Sequence, residues 1–138
     1  MILLDTSGLL AALDSDQRQH EEAAASLADA SPPLLLSPFV LAEFDYMLLS
    51  RVGAGARASL LEEVERDAYL LETMTGADVA RAHTIIKRHA DLGISLADAS
   101  IVVLAERHRV RDVLTLDERH FRVLTANGKP LRLLPADA

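Results

Sequence analysis

Along the chain, short apolar runs alternate with longer stretches in which apolar residues recur every three or four positions. MILLD at 1–5 reads as a strand, followed by a turn and a helix to about residue 13. Residues 16–30 form a polar-faced, alanine-rich helical pattern. LLLS at 34–37 is a second strand, and Ser37-Pro38 then signals a helix start, with Ser37 as cap and Pro38 in the first turn. Gly53 and Gly55 break that helix, a further one covers about 56–66, and 68–73 reads as a third strand. Helices are predicted over 77–91 and 95–109, a strand over 112–117, and a short edge strand over 131–134. Strands alternating with helices predict an α/β fold, its parallel sheet covered on both faces. Ligands of such folds bind beyond the carboxyl ends of the strands.

Acids fall at those ends. The first strand closes on Asp5, followed by Thr6 and Ser7; the 112–117 strand closes on Asp117, with Thr115 two residues before it. Asp98 opens a helix whose body is nearly all apolar. Glu43 lies four residues after Phe39, three after Val40 and four before Met47, which draws it on an apolar helix face with no Lys or Arg within one turn. A carboxylate buried there costs several kcal/mol unless something pairs with it or coordinates it. Asp45, two residues on, is expected to point to solvent. Each acid has a plainer reading: Asp5 as a helix cap, Asp98 in a capping box with Ser95, and Asp117 as a turn residue bonding its own backbone. Glu43 fits no such role. Four carboxylates at one rim repel, and hard divalent cations such as Mg²⁺ or Mn²⁺ relieve the repulsion. Two such ions about 4 Å apart activate a water and stabilise the leaving oxygen of a phosphodiester.

The chain has 138 residues, half of them apolar, which suits one domain over 1–138 with a real core. It has no cysteine, so disulfides, thiolate metal sites and Cys nucleophiles are excluded. The start lacks a signal-peptide pattern, and no apolar run approaches the ~18 residues of a membrane span, so a cytoplasmic chain with no membrane partner is expected. Net charge is −7, but residues 105–132 carry seven Lys/Arg against four acids. A basic segment beside acidic residues can meet a phosphate backbone while the acids bind metal, but charge alone favours the plainer reading of a solvated helix end and loop. No G-x-G-x-x-G, P-loop or G-x-S-x-G elbow is present.

The stretches LLDTSGLL (3–10), SPFVLAEFDYML (37–48), ISLADASIVVLAERH (94–108) and VLTLDERHF (113–121) together resemble the PIN domain, and within it the VapC-type toxins of bacterial toxin–antitoxin pairs. The resemblance spans nearly the whole chain. It implies a three-layer α/β/α sandwich with strand order 3-2-1-4-5 and a Mg²⁺- or Mn²⁺-dependent endoribonuclease that cuts structured RNA, tRNA or rRNA, to inhibit translation. The family's four acids fall on Asp5, Glu43, Asp98 and Asp117. Its hydroxyl positions beside the metal fall on Thr6 or Ser7 and on Thr115. It further implies a homodimer and a VapB-type antitoxin lying in an apolar groove of the early helices, with Phe39, Phe44, Tyr46 and Leu49 as candidates for the floor. Arg107, Arg109, Arg111, Arg119 and Arg122 are candidate RNA contacts. His120 is expected to pack the last turn, and the other histidines show no ligand spacing. The alternatives are a catalytically silent binding module of this fold, a DNA nuclease, or a phosphohydrolase. Ser7 stands where dehalogenase-like phosphatases need a second Asp.

Overall fold

The computed structural model describes residues 1–138. Three short strands, apolar except for Asp112, form the middle of its sheet: β1 (Ile2–Leu4), β2 (Leu34–Leu36) and, late in the chain, β4 (Asp112–Leu114). All three residues of β1 are buried. A strand covered on both faces has no solvent side to alternate toward, hence its unbroken apolar run. β3 (Leu70–Leu71) and β7 (Arg132–Leu134) flank the triplets, giving the order β3-β2-β1-β4-β7 with every neighbour parallel. This is the expected order, β7 being the fifth strand of the sheet.

Between the strands run α1 (Thr6–Leu13), α2 (His20–Asp29), α3 (Pro38–Arg51), α4 (Ala54–Glu65), α5 (Gly76–Arg88) and α6 (Leu96–His108). They complete the three-layer sandwich. One contiguous cluster of 33 buried residues joins sheet and helices, so no second core exists. Ser37 caps α3 as expected, its Oγ accepting from Phe39 N at 3.2 Å. Gly8 meets a steric demand: a Cβ there would lie 2.2 Å from Leu114 O, because α1 packs directly on the β4 backbone.

Several expected boundaries shift. Residues 14–19 are a turn, since the Asp14 carboxylate accepts from Asp16 N and Gln17 Nε2 and so competes with helix geometry. The third strand pairs only at Leu70–Leu71, both exposed at the sheet edge. Two elements were not anticipated: the short helix α7 (Glu118–Phe121), and the hairpin of β5 (Thr125–Ala126) and β6 (Lys129–Pro130). Asn127 and Gly128 both take positive φ in its two-residue turn, and the Asn-Gly pair is the signal that marks it in the sequence.

Candidate active site

The carboxyl ends of β1 and β4 meet at Asp5. Its backbone N–H donates to Leu114 O at 3.1 Å, which continues the ladder. The side chain makes no cap bond to α1, so the capping role does not apply. Instead Oδ2 accepts from Ser7 Oγ at 2.8 Å and from Thr115 Oγ1 at 2.7 Å. Asp5 is only 4% exposed. Burial pushes its carboxyl up from 3.8 to about 6; the two hydroxyls pull it down and the Asp98 charge pushes it up again. Ser7 Oγ also accepts from Leu116 N, and Thr115 Oγ1 from Asp117 N, both at 3.0 Å. Of the two hydroxyls expected beside the first acid, Ser7 makes these bonds. Thr6 Oγ1 is buried and has no partner.

Glu43 corrects the reading from periodicity. The buried stripe of α3 is Val40, Phe44 and Leu48, and Glu43 is exposed on its flank. At 100° per residue it is rotated roughly 60° from Val40 and 100° from Phe44, enough to leave the core. Burial therefore does not oblige Glu43 to find a partner. Asp45 is not free in solvent either: Arg57 of α4 grips it at 2.6 and 3.2 Å. Among the groove-floor candidates, Phe44 is wholly core and Phe39 half-buried, whereas Tyr46 and Leu49 are exposed.

Asp98 and Asp117 keep their plainer roles as well. Asp98 forms the capping box with Ser95, its Oδ2 accepting from Ser95 N at 3.1 Å. Burial raises its carboxyl, the Ser95 amide opposes that, and Asp117 adds to it. Asp117 caps α7, its Oδ1 accepting from His120 N at 3.1 Å. Its Oδ2 lies 2.7 Å from His120 Nδ1, which is also 4.0 Å from Asp98 Oδ2. His120 thus belongs to the site rather than only packing the turn. Its spacing of three from Asp117, one turn of helix, was the available signal.

Asp5, Glu43, Asp98 and Asp117 line one open cleft of about 280 Å³, together with Thr6, Ser7, Gln17 and Arg51. Glu43, Met47 and Arg51 follow one another at intervals of four on α3, and all three face the cleft. That row was legible in the spacing, but Arg51, two turns from Glu43, was not singled out from the sequence. Gln17 comes from the 14–19 turn and carried no signal. The donors are mainly carboxylate and hydroxyl oxygens, a set that suits a hard divalent cation. One ligand atom each from Asp98, Asp117 and His120 lies within 4.8 Å of the others. The raised carboxyls and the orphan Thr6 hydroxyl mark a pocket whose polar groups are not satisfied among themselves.

The five arginines separate. Arg107 is held by Asp78 at 2.9 Å and Thr73 O at 3.0 Å, and Arg122 by Glu118 and Asp137, each at 2.7 Å. Arg109 and Arg111 precede β4, at the end of the sheet away from the acids. Arg119 is exposed on α7, next to His120.

The PIN domain profile matches residues 2–125. Ribonuclease VapC26 of Mycobacterium tuberculosis is 38% identical over 127 residues, 92% of this chain and 94% of that protein. Among solved structures, VapC20 of Mycobacterium tuberculosis, described as a sarcin–ricin loop cleaving toxin, superposes with a TM-score of 0.79 at 22% identity, covering 85% of this chain and 90% of that one. FitAcB from Neisseria gonorrhoeae superposes with a TM-score of 0.54 at 24% identity, over 79% and 83% of the two chains. The fold, the order of the motifs and these likenesses agree: the chain belongs to the PIN-domain family, among nucleases of the VapC toxin type.

Proposed function

We propose that the chain is the toxin of a type II toxin–antitoxin pair, an endoribonuclease that hydrolyses a phosphodiester in structured tRNA or rRNA and so inhibits translation. The observation that carries this reading is the convergence of Asp5, Glu43, Asp98 and Asp117 on one cleft. Asp5, Asp98 and Asp117 would hold Mg²⁺ or Mn²⁺, with Glu43 beside them. The ion would supply Lewis-acid activation of water and neutralise charge at the phosphate. Ser7 and Thr115 fix the Asp5 carboxylate through its Oδ2. His120 holds Asp117, and Arg51 places a cation on the cleft wall against the phosphate's negative charge. Glu43, exposed and unencumbered by hydrogen bonds, is placed to orient the attacking water.

The names of the relatives support the substrate class, since VapC26 is called a ribonuclease and VapC20 a sarcin–ricin loop cleaving toxin. A VapB-type antitoxin would set apolar side chains into the hollow of about 180 Å³ beside α1, α3 and α4, lined by Leu13, Leu48, Val52 and Leu60. Homodimerisation and work in the cytoplasm follow from the same reading, and no helix is long and apolar enough to cross a membrane.

The test is cleavage of total bacterial RNA by the purified chain with Mg²⁺ or Mn²⁺, the ends mapped by sequencing. A discrete cut that EDTA and Asp98→Asn abolish is expected. Folded, antitoxin-free protein that leaves every RNA intact with both metals would sink the reading in favour of a silent binding module.

A further inference from the structure

A second polar hollow, of about 360 Å³, opens at the other end of β4. Its wall holds Arg109, Arg111 and Lys129, with Asn127 beside them and the small apolar Val110 and Ala126 between. No acid lines it. That is unusual in a chain of net charge −7. The nearest acids in sequence are already engaged: Glu106 pairs with Arg81 at 3.1 Å, and Asp112 with Arg132 at 3.0 Å. None of the three cations in the hollow makes an ion pair. The only side-chain bond among them is a long one, from Arg111 Nη1 to Pro130 O at 3.4 Å.

The backbone is bent to build this wall. Arg109 ends α6 in the left-handed region at φ 55°, a place that glycine ordinarily fills. A residue with a Cβ is disfavoured in that conformation. Asn127 at φ 52° and Gly128 at φ 76° form the hairpin turn that sets Lys129 opposite. The left-handed end of α6 and the Asn127-Gly128 turn, from separate parts of the chain, thus converge on one cavity and present three unpaired cations to it.

We propose that this cavity is a phosphate-binding exosite for the backbone of the RNA substrate. The inference rests on the nuclease reading and adds a contact away from the cleavage cleft. Guanidinium groups match phosphate oxygens in two-point geometry, and an ammonium adds a point charge. Arg111 and Thr115 lie at opposite ends of β4, four residues and so roughly 13 Å apart along the strand. A duplex carries one charge per ~1.7 Å of axis, so a folded RNA large enough to pass from one end of the sheet to the other has phosphates to offer both places. A flexible single strand reaches both only by fixing its backbone, at a cost in conformational entropy, and a very short one does not reach both at all. The site therefore favours structured over unstructured RNA without reading bases.

Salt-dependent binding decides it. Arg109→Gln/Arg111→Gln/Lys129→Gln is compared with Arg18→Gln/Lys87→Gln/Arg88→Gln, three exposed cations that make no ion pair and lie outside the hollow. Affinity for a stem–loop RNA and for a poly(U) oligonucleotide is titrated against salt in EDTA, with melting curves to establish that each variant is folded. The exosite variant is expected to bind the stem–loop at least ~10-fold more weakly and to flatten the log–log salt slope by about 2, the control set changing little. Poly(U) binding should change far less. Arg109→Lys/Arg111→Lys should restore most of the slope. Equal losses in the two Gln sets, or a folded exosite variant with wild-type slope, overturn the proposal while leaving the nuclease intact. So does inorganic phosphate filling the cavity without competing with RNA, or lost self-association with unchanged RNA binding. A wild-type chain that binds no RNA overturns this site and the nuclease reading together.

Discussion

Thr115 Oγ1 donates to Asp5 Oδ2 at 2.7 Å, from the exit of β4 to the exit of β1. The same oxygen accepts from Asp117 N at 3.0 Å. One hydroxyl therefore orients two of the four acids. Thr115→Val keeps the shape and removes both bonds. Leaving the buried partners short of a bond costs about 1–3 kcal/mol. Loss of an orienting partner of this kind typically reduces activity or metal affinity 10- to 100-fold. We expect both changes in the same variant, read by urea unfolding and by RNA cleavage at saturating Mg²⁺. Wild-type stability and rate would show that Ser7 alone suffices.

Asp5 carries a pH dependence whose direction is fixed by burial. Its folded carboxyl lies near 6, above its ordinary 3.8, so the folded chain holds this proton more tightly than the unfolded chain does. The favourable contribution is complete below about 3.8 and is lost as pH rises through 6. The displacement corresponds to roughly 3 kcal/mol. Asp5→Asn cannot ionise, and its carbonyl oxygen can still accept from Ser7 and Thr115. In EDTA the variant should therefore gain on wild type by up to about 3 kcal/mol between pH 4 and pH 7, while cleavage is abolished. A stability difference that stays flat over that range would mean the carboxylate is well solvated.

How much of this could be read from the chain depends on what each residue answers to. β1, β2 and β4 were legible because double burial makes them almost wholly apolar, Asp112 at the start of β4 excepted, and their carboxyl ends then gave Asp5, Ser37 and Asp117 their common rim. Glu43 was reached by a faulty step. Helical spacing cannot tell the centre of an apolar face from its flank, and the flank is where a cleft opens. The arginines were grouped by sequence proximity, but α6 and β4 carry residues 105–115 from one side of the molecule to the other. Charge along the chain thus merged Arg109 and Arg111 with Arg119, which the fold separates. His120 and the Asn127-Gly128 turn carry local signals, a spacing of three from Asp117 and the Asn-Gly pair. Arg107→Asp78 and Arg122→Asp137 are pairings over 29 and 15 residues that no local pattern contains.

Gly8 tests the close packing under the site. A Cβ there would overlap Leu114 O and C, at 2.2 and 2.5 Å, and these are backbone atoms that no rotamer change can move. Gly8→Ala must push α1 off β4, separating Ser7 from Thr115 and Leu116. Alanine would otherwise favour the helix by up to about 1 kcal/mol. Overpacking of this kind costs about 1–3 kcal/mol, occasionally more, so a net loss is expected in urea unfolding. Cleavage should fall too, because the 3.0 Å bond that Leu116 N donates to Ser7 Oγ spans the same junction. A stabilised variant would show that the junction has slack.

Metal binding should stabilise the fold, because the unfolded chain cannot gather Asp5, Asp98 and Asp117 from three separate segments. A ligand that binds only the folded state adds about 2.7 kcal/mol at a hundred times its dissociation constant. Mg²⁺ or Mn²⁺ should therefore raise the melting temperature, and EDTA should return it. The gain should also depend on pH. Below about 6 the cation must displace the proton that burial holds on Asp5; above it the carboxylate is already charged. Asp98→Asn should lose most of the gain, while Arg119→Gln, exposed outside the ligand set, should retain it. A metal shift that is the same at pH 5 and pH 8, or is unaffected by Asp98→Asn, would place the cation elsewhere on this acidic chain.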